Sequence, residues 1–139
     1  MVGWAMGERP TAELVIDALN MAVWTRRPAG GLVHHSDHGA QYTSLAFSRR
    51  LGAAGILGSV GSVGDALDNA VAESFFATLQ TELLNRGSWP TRQTLKTAIF
   101  EYIEVFYNRR RRHSALGYLC PEAFERRWCL HREVSPTAA

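Results

Sequence analysis

The fold prediction starts from the stretch Leu32-Val33-His34-His35-Ser36-Asp37-His38-Gly39, which changes halfway along from strand-forming to turn-forming residues. Its first four residues predict a short strand that follows the turn of residues 28–31. Its last four residues are mostly turn formers, which take the chain out of the strand. Asp37 is therefore expected where a strand ends and a loop begins, the position at which open α/β sheets gather ligands.

Strand and helix patterns alternate on both sides of this stretch. Two more short strands are predicted, at Val2–Met6 and at Ile56-Leu57. The predicted helices run from Thr11 to Trp24, from Thr43 or Ser44 to about Gly52, from Asp68-Asn69 to about Leu84, from Thr91 or Thr94 to about Phe106, and from Pro121 to about Trp128. This alternation predicts the α/β class, although three short strands are few for a sheet.

Composition narrows the class of protein further. The chain has 139 residues, 46% hydrophobic and 20% charged, which suits one small domain. No apolar run approaches the ~20 residues of a membrane span, and two cysteines cannot make a disulfide framework, so we expect a cytoplasmic protein without membrane contacts.

The charges are distributed unevenly along the chain. Residues 1–73 carry a net charge of −2 and residues 74–139 a net charge of +4, with Arg as 14 of the 15 basic residues. An acidic first half followed by a basic second half is consistent with a metal site followed by a polyanion-binding surface. It is equally consistent with an ordinary solvated surface.

Glu73 is the second candidate for chemistry. It lies early in the helix after Asp68-Asn69, among apolar or small neighbours, so its helix face is expected to be largely covered. A covered carboxylate needs a partner, and a divalent metal shared with Asp37 is one such partner. Each residue also suits an ordinary role, Glu73 as a helix N-terminal acid and Asp37 as a turn residue. Their 35-residue spacing does not choose, because two other Asp–Glu pairs share it.

Three motifs carry a family resemblance that spans nearly the whole chain. They are His35-Ser36-Asp37-His38-Gly39-Ala40-Gln41-Tyr42-Thr43-Ser44, Asp68-Asn69-Ala70-Val71-Ala72-Glu73-Ser74-Phe75-Phe76, and Tyr107-Asn108-Arg109-Arg110-Arg111-Arg112-His113-Ser114 through Tyr118 and Pro121. In this order they resemble the second acidic segment, the third acidic segment and the basic signature of bacterial insertion-sequence transposases with a retroviral-integrase-like core. One departure is His38, where the family commonly has Arg.

The resemblance implies a ribonuclease-H-like core, a mixed sheet flanked by helices, with two Asp and one Glu holding Mg²⁺ or Mn²⁺. Such enzymes cleave a phosphodiester at the end of a DNA element and direct the freed 3′-hydroxyl at target DNA. Asp37 and Glu73 would take the second and third places of that triad, both as catalytic residues and as metal ligands.

The first place of the triad has no match in this sequence. The family's first Asp lies upstream of the segment that Val2–Met6 resembles, and Asp17 lies inside the first predicted helix with no motif around it. We therefore interpret the chain as an N-terminally truncated transposase. Residues 1–88 would form a partial catalytic core, residues 89–130 the C-terminal helices with a basic linker, and residues 131–139 a frayed tail. Strand transfer by this polypeptide alone is not expected.

The basic segment, defined as Arg109, Arg110, Arg111, Arg112 and His113, is the predicted DNA-binding element. Four Arg would neutralise up to about four phosphates, which gives a slope of roughly −3.6 in log K against log[salt]. A solvated linker is the alternative. Zinc at His34, His35 and His38 beside Asp37 is disfavoured, because His34 and His35 are adjacent strand residues and point to opposite faces.

Two functions therefore remain open. The first is a catalytic-core fragment of a transposase that acts on element ends and target DNA. The second is a non-catalytic DNA-binding or oligomerising remnant that modulates a full-length transposase, as a homo-oligomer or a mixed assembly. The four Trp residues are interpreted as packing residues.

Overall fold

The computed structural model describes residues 1–60 and 67–134, with side chains for 1–60 and 70–131. The chain divides into two compact units, Val2–Glu82 and Leu83 onward, and Met1 belongs with the second. Each unit is described by itself.

The described residues of the first unit form three helices and a two-stranded sheet. Helix α1 spans Ala12–Arg26, strand β1 Val33–Ser36, helix α2 Leu45–Ala53, strand β2 Leu57–Val60 and helix α3 Leu67–Glu82. The predicted caps hold, because the Thr11 hydroxyl accepts from the amide of Leu14 and the Ser44 hydroxyl accepts from that of Phe47. Strands β1 and β2 pair in parallel, as expected when a helix connects them.

The core of this unit lies where α1 and α2 meet the sheet. It is built from Leu19, Phe47, Leu51 and Ile56, and the partly buried Val15, Ile16, Val23, Tyr42 and Ala54 pack around it. On α3 the buried residues are Phe75 and Leu79, four positions apart, and this helix contacts β1.

The predicted strand at Val2–Met6 is wrong. These residues form no strand and lie along α1 instead, because small residues allow a close approach. A Cβ added at Gly3 would lie 2.3 Å from the carbonyl oxygen of Ala18, and one added at Gly7 would lie 2.9 Å from a methyl carbon of Leu14. The described residues thus confirm the α/β class, and their sheet has two parallel strands rather than a mixed set.

Two smaller predictions in this unit also differ from the structure. Asp68-Asn69 does not precede α3 but lies within its first turn, since the helix begins at Leu67. Strand β2 begins at Leu57 and runs on to Val60, so it extends beyond the predicted strand Ile56-Leu57.

The second unit is helical. After a 3₁₀ turn at Leu84–Arg86, helix α4 spans Arg92–Glu101 and continues as a π-helical segment, Tyr102–Tyr107. Thr91 and Thr94 cap α4 reciprocally, each hydroxyl accepting from the other residue's amide at 3.1 Å. Ile99, Tyr102 and Ile103 are buried.

The segment from Asn108 to Leu119 is a hydrogen-bonded loop rather than an open linker. His113 and Leu119 form an antiparallel bridge, and residues Ser114–Leu116 make a 3₁₀ turn inside it. Gly117 ends this turn in the left-handed region, with a φ of 62°.

The last helix, α5, spans Pro121–Val134 and is longer than predicted. After Trp128 the sequence has neither Gly nor Pro before Pro136, so nothing local stops the helix there. The predicted tail is therefore helical as far as residue 134, and residues 135–139 lie outside the described residues. None of the helices described is both long enough and apolar enough to span a bilayer.

Candidate functional site

Asp37 immediately follows β1, as the sequence predicts, and its side chain is exposed. Its Oδ1 accepts a 2.9 Å hydrogen bond from the amide of Gly39, which makes an Asx-type turn. A Cβ at residue 39 would stand 2.9 Å from that same oxygen, so this turn favours Gly. The hydrogen bond orients the carboxylate and engages Oδ1, and Oδ2 is the oxygen better placed to meet a ligand.

The loop between β1 and α2 is fixed at several other points. The amides of Tyr42 and Thr43 both donate to the carbonyl of Gly39, at 3.0 and 3.2 Å. The side-chain amide of Gln41 donates to the carbonyl of Pro10 at 2.8 Å, which ties the loop to the start of α1. Burial raises the pKa of Tyr42, and the nearby charge of Asp37 raises it further.

Glu73 lies in the second turn of α3, and its side chain is exposed. The prediction of a covered helix face is wrong here. The buried stripe of α3 consists of Phe75 and Leu79, and Glu73 is two residues before Phe75, about 200° around the helix. Val71, one of the apolar neighbours that suggested cover, is itself 82% exposed.

These two carboxylates meet the chemical requirement of a hard divalent cation. Mg²⁺ takes oxygen ligands and is commonly held by one or two carboxylates, with waters and substrate phosphate completing the shell. Asp37 and Glu73 belong to the same unit, and the helix that carries Glu73 contacts the strand that Asp37 follows. Among the described residues no three His, Cys, Asp or Glu form a metal-binding group.

The structure separates the basic segment into two kinds of side chain. Arg109 and Arg111 have partners within the unit. The Nε of Arg109 lies 3.6 Å from a carboxylate oxygen of Glu122, and the Arg111 guanidinium lies 5.8 Å from the ring centroid of Tyr107. Nη1 of Arg111 is also 3.3 Å from Nδ1 of His113, whose ring packs edge-on against Tyr107. Arg110 and Arg112 are exposed, as Arg109 is, whereas Arg111 is half-buried.

The sequence did not single out a groove in the first unit, between the C-terminal end of α1 and α2. It has a volume of about 700 Å³ and is lined by Asn20, Met21, Val23, Trp24, Arg27, Pro28, Arg50 and Ala54. Trp24, interpreted above as a packing residue, is 75% exposed. The sequence feature that could have indicated this groove is a pair of Arg doublets. Arg26-Arg27 follows Trp24-Thr25 at the end of the first predicted helix, and Arg49-Arg50 lies on the second.

Comparison with known proteins places the chain in a family. The integrase core domain matches residues 1–66 in one of its forms and residues 54–121 in another. The 31 kDa protein of insertion element IS600 from Shigella sonnei is 44% identical over 128 residues, 92% of this chain. The chain belongs to the integrase-core family. The resemblance that its motifs carry, to insertion-sequence transposases with this core, is confirmed.

A second relative is the transposase InsF of insertion sequence IS3A from Escherichia coli, 41% identical over 90% of this chain. The integrase-core chain spans less than half the length of these curated relatives, 47% of the first and 43% of the second.

The fold has a counterpart among solved structures. A chain of the simian T-cell lymphotropic virus intasome, in complex with the PP2A regulatory subunit B56 gamma, matches with a TM-score of 0.55 over 72% of this chain and 37% of that chain. The two sequences are 16% identical, so this match speaks for the integrase-like fold alone.

Proposed function

We propose that this chain is part of a DNA transposase and that Asp37 and Glu73 are two ligands of its catalytic divalent metal. The proposal rests chiefly on Asp37, which is held by the Gly39 amide at the end of β1 while α3, the helix of Glu73, contacts that strand. Membership of the integrase-core family supports the reaction class, which would be metal-dependent cleavage and strand transfer of DNA on a ribonuclease-H-like core. The protein would act on DNA in the cytoplasm.

Each residue has a separate task in this proposal. Asp37 would contribute Oδ2, because the turn to Gly39 engages Oδ1. Glu73 would reach the same cation from the second turn of α3. Bound Mg²⁺ or Mn²⁺ would activate the attacking oxygen and stabilise the leaving oxygen of a phosphodiester.

A titration with Mn²⁺ tests the metal site without requiring activity. A ligand that binds only the folded state stabilises it by about 2.7 kcal/mol at 100 times its Kd. We expect Mn²⁺ to raise the melting temperature of the wild type. Asp37→Asn and Glu73→Gln should abolish the rise, and Asp17→Asn, an exposed carboxylate on α1, should keep it. No rise in the wild type, or the same rise in all four proteins, contradicts the proposal.

We also propose that the polypeptide does not complete the reaction by itself. The family motif that carries the first Asp of the triad has no match among its 139 residues, and Asp17 lies within α1. Mg²⁺-dependent cleavage of DNA by the purified polypeptide contradicts this point and leaves the metal site standing.

The second candidate function is non-catalytic binding of DNA or of a full-length transposase, as a homo-oligomer or a mixed assembly. It is favoured by the exposure of Arg110 and Arg112 in a loop that is hydrogen-bonded into a fixed shape. Phosphate contacts need only cations held at a fixed place, and they do not require the metal.

Replacement of both exposed Arg residues tests this candidate. We expect Arg110→Ala with Arg112→Ala to weaken DNA binding and to flatten the salt dependence by about 1.8 in log K against log[salt], the share of two phosphates. Arg126→Ala with Arg127→Ala removes the same charge from α5 and is the control. An equal loss in both double variants points to net charge and not to this loop.

A further inference from the structure

We propose that the groove between α1 and α2 binds unpaired nucleotides of single-stranded DNA, with the indole of Trp24 as the stacking platform. The inference rests on the proposed function only in taking DNA as the ligand. It concerns the first unit, and neither Asp37, Glu73 nor the basic segment lines the groove.

The first observation is the aromatic ring itself. Trp24 lies in the last turn of α1 and is 75% exposed, although its unit has an apolar core in which an indole could be buried. The guanidinium of Arg27 lies 5.3 Å from the centroid of its ring. Any of the four bases can stack on an exposed aromatic ring, so this contact does not depend on the DNA sequence. An adjacent Arg adds a cation–π contribution.

The second observation is the charge of the groove. Its lining contains two cations, Arg27 from the end of α1 and Arg50 from α2, and no acidic side chain. Arg26 and Arg49 adjoin them in sequence and add two more positive charges. Cations on both walls complement a phosphate backbone that runs along the groove.

The third observation is that the side chain of Arg50 and the backbone of Arg27 are held in place. The Nε of Arg50 donates to Oδ1 of Asn20, which joins α2 to α1. Arg27 ends α1 in the left-handed conformation, with a φ of 42°, and its amide donates to the carbonyl of Val23 at 2.8 Å. Groups that are already ordered lose less conformational entropy when a ligand binds.

Shape selects unpaired nucleotides over a duplex. The groove holds about 700 Å³ and has an apolar floor that includes Met21, Pro28 and Ala54. That volume is in the range of pockets that enclose small organic ligands, and a nucleotide is of this size. In a duplex the base faces are covered by neighbouring base pairs, so the indole would have nothing to stack on.

The test measures binding of a fluorescein-labelled dT oligonucleotide and of a blunt duplex of the same length to the full chain, in EDTA. We expect Trp24→Ala to weaken single-strand binding about tenfold, the usual share of one stacked base, and to leave duplex binding unchanged. Trp24→Phe keeps an aromatic face and should stay close to the wild type. Arg27→Asn suits the left-handed backbone and should flatten the salt dependence by about 0.7 in log K against log[salt].

Two controls match these variants within the same unit. Leu45→Ala removes an exposed apolar side chain of 65% exposure, and Arg9→Gln removes an exposed positive charge outside the groove. Neither should change the affinity for the dT oligonucleotide. Melting curves of all variants establish that each one folds.

The outcomes separate this inference from the proposed function. If Trp24→Ala and Arg27→Asn bind the single strand like the wild type, or if Leu45→Ala loses as much as Trp24→Ala, the groove proposal is overturned while the metal titration and the Arg110/Arg112 result stand. If the wild type does not bind the oligonucleotide at all, or if Trp24→Ala weakens only the capture of a protein partner, the proposal is likewise overturned. Selective loss of single-strand binding in Trp24→Ala, with rescue in Trp24→Phe, supports it.

Discussion

The two faces of the β1–β2 sheet have opposite environments. On one face, which we call the packed face, His34 lies 5.2 Å from Phe47 between ring centroids, and a Cβ at its register partner Gly58 would meet Leu51 at 3.3 Å. On the other, the open face, the register partners Val33 and Leu57 are 48% and 65% exposed. Successive strand residues alternate between faces, so a single residue step separates core from surface. Substitutions on the packed face should therefore lower the stability of the unit, whereas substitutions on the open face should be tolerated.

The largest expected effect comes from removing a large buried side chain from the packed face. Phe47 is 1% exposed and contacts both His34 and Tyr42. We expect Phe47→Ala to lower the free energy of unfolding by about 3–5 kcal/mol, because the cavity adds to the lost transfer energy. Leu57→Ala on the open face is the control and should change it by no more than about 0.5 kcal/mol. Urea unfolding followed by circular dichroism measures both, and similar losses would erase the distinction between the faces.

The next effect tests the close packing on the α1 side of the core. Gly3→Ala brings a methyl group to within contact of the Ala18 carbonyl and the Ala22 methyl. Because a backbone oxygen cannot rotate away, we expect a loss of about 1–3 kcal/mol. Gly52→Ala, at a helical position with nothing within 4 Å, is the matched control and should be neutral or stabilising. A neutral Gly3→Ala would show that residues 2–7 do not lie against α1.

A smaller effect is expected at the start of α2, the helix that covers the packed face. The Ser44 hydroxyl accepts from the Phe47 amide at 3.2 Å and donates to the Gln41 carbonyl at 2.8 Å. Ser44→Ala should cost about 1 kcal/mol, the usual value of an N-cap. Ser48→Ala, on the exposed side of the same helix, should cost nothing. Thermal melts of the two variants distinguish the loss of the N-cap from a general effect of Ala substitution on the stability of α2.

The smallest effect is a pH dependence that only the packed face should show. Burial lowers the pKa of His34 from its usual 6.5, and the neighbouring His35 lowers it slightly more. The unfolded chain therefore takes up this proton at a higher pH than the folded chain does. Stability should fall as the pH drops from about 7 through the unfolded pKa and should level off below the folded pKa.

Two variants assign this pH dependence to one side chain. His34→Gln should remove the slope, and His35→Gln on the open face should retain most of it, because burial is the larger cause of the His34 shift. Unfolding free energies at about pH 7.5, 6.5 and 5.5 provide the comparison. A slope that survives in His34→Gln would have to come from another group.

Sequence patterns were sufficient wherever the deciding interaction is local. The caps at Thr11, Ser44 and Thr91, the turn at Asp37 and the periodic helices follow from side chains within four residues of each other. The failures have distant causes: Val2–Met6 has a strand pattern, but the glycines at 3 and 7 allow it to pack on α1. Likewise, the exposure of Glu73 follows from which stripe of α3 meets β1, and the local neighbours Ala70, Val71 and Ala72 carry no information about that.

The site was predictable to a similar degree. Strand, turn and helix patterns placed Asp37 at the end of a strand and Glu73 on a helix, and both positions are those of the structure. Motif resemblance singled out these two carboxylates. It could not assign partners to Arg109 and Arg111 within the run of four Arg residues, because Glu122 and Tyr107 lie outside that run. Nor could it find the groove at Trp24, whose walls come from helices separated by residues 27–44.

The π-helical segment Tyr102–Tyr107 sets the direction in which the arginines that follow it point. Its wider turns, closed by bonds such as that from the Asn108 amide to the Ile103 carbonyl, accommodate one residue more than an α-helix would. Removal of a single residue there would restore regular winding and leave the direction of Arg110 and Arg112 relative to Ile99 nearly unchanged, because the wider turns already absorb the extra residue. The same deletion within α4 would rotate them by about 100°. A one-codon deletion inside the π-helical segment would therefore shorten the connection to the basic loop without turning its positive charge away from its present side of α4.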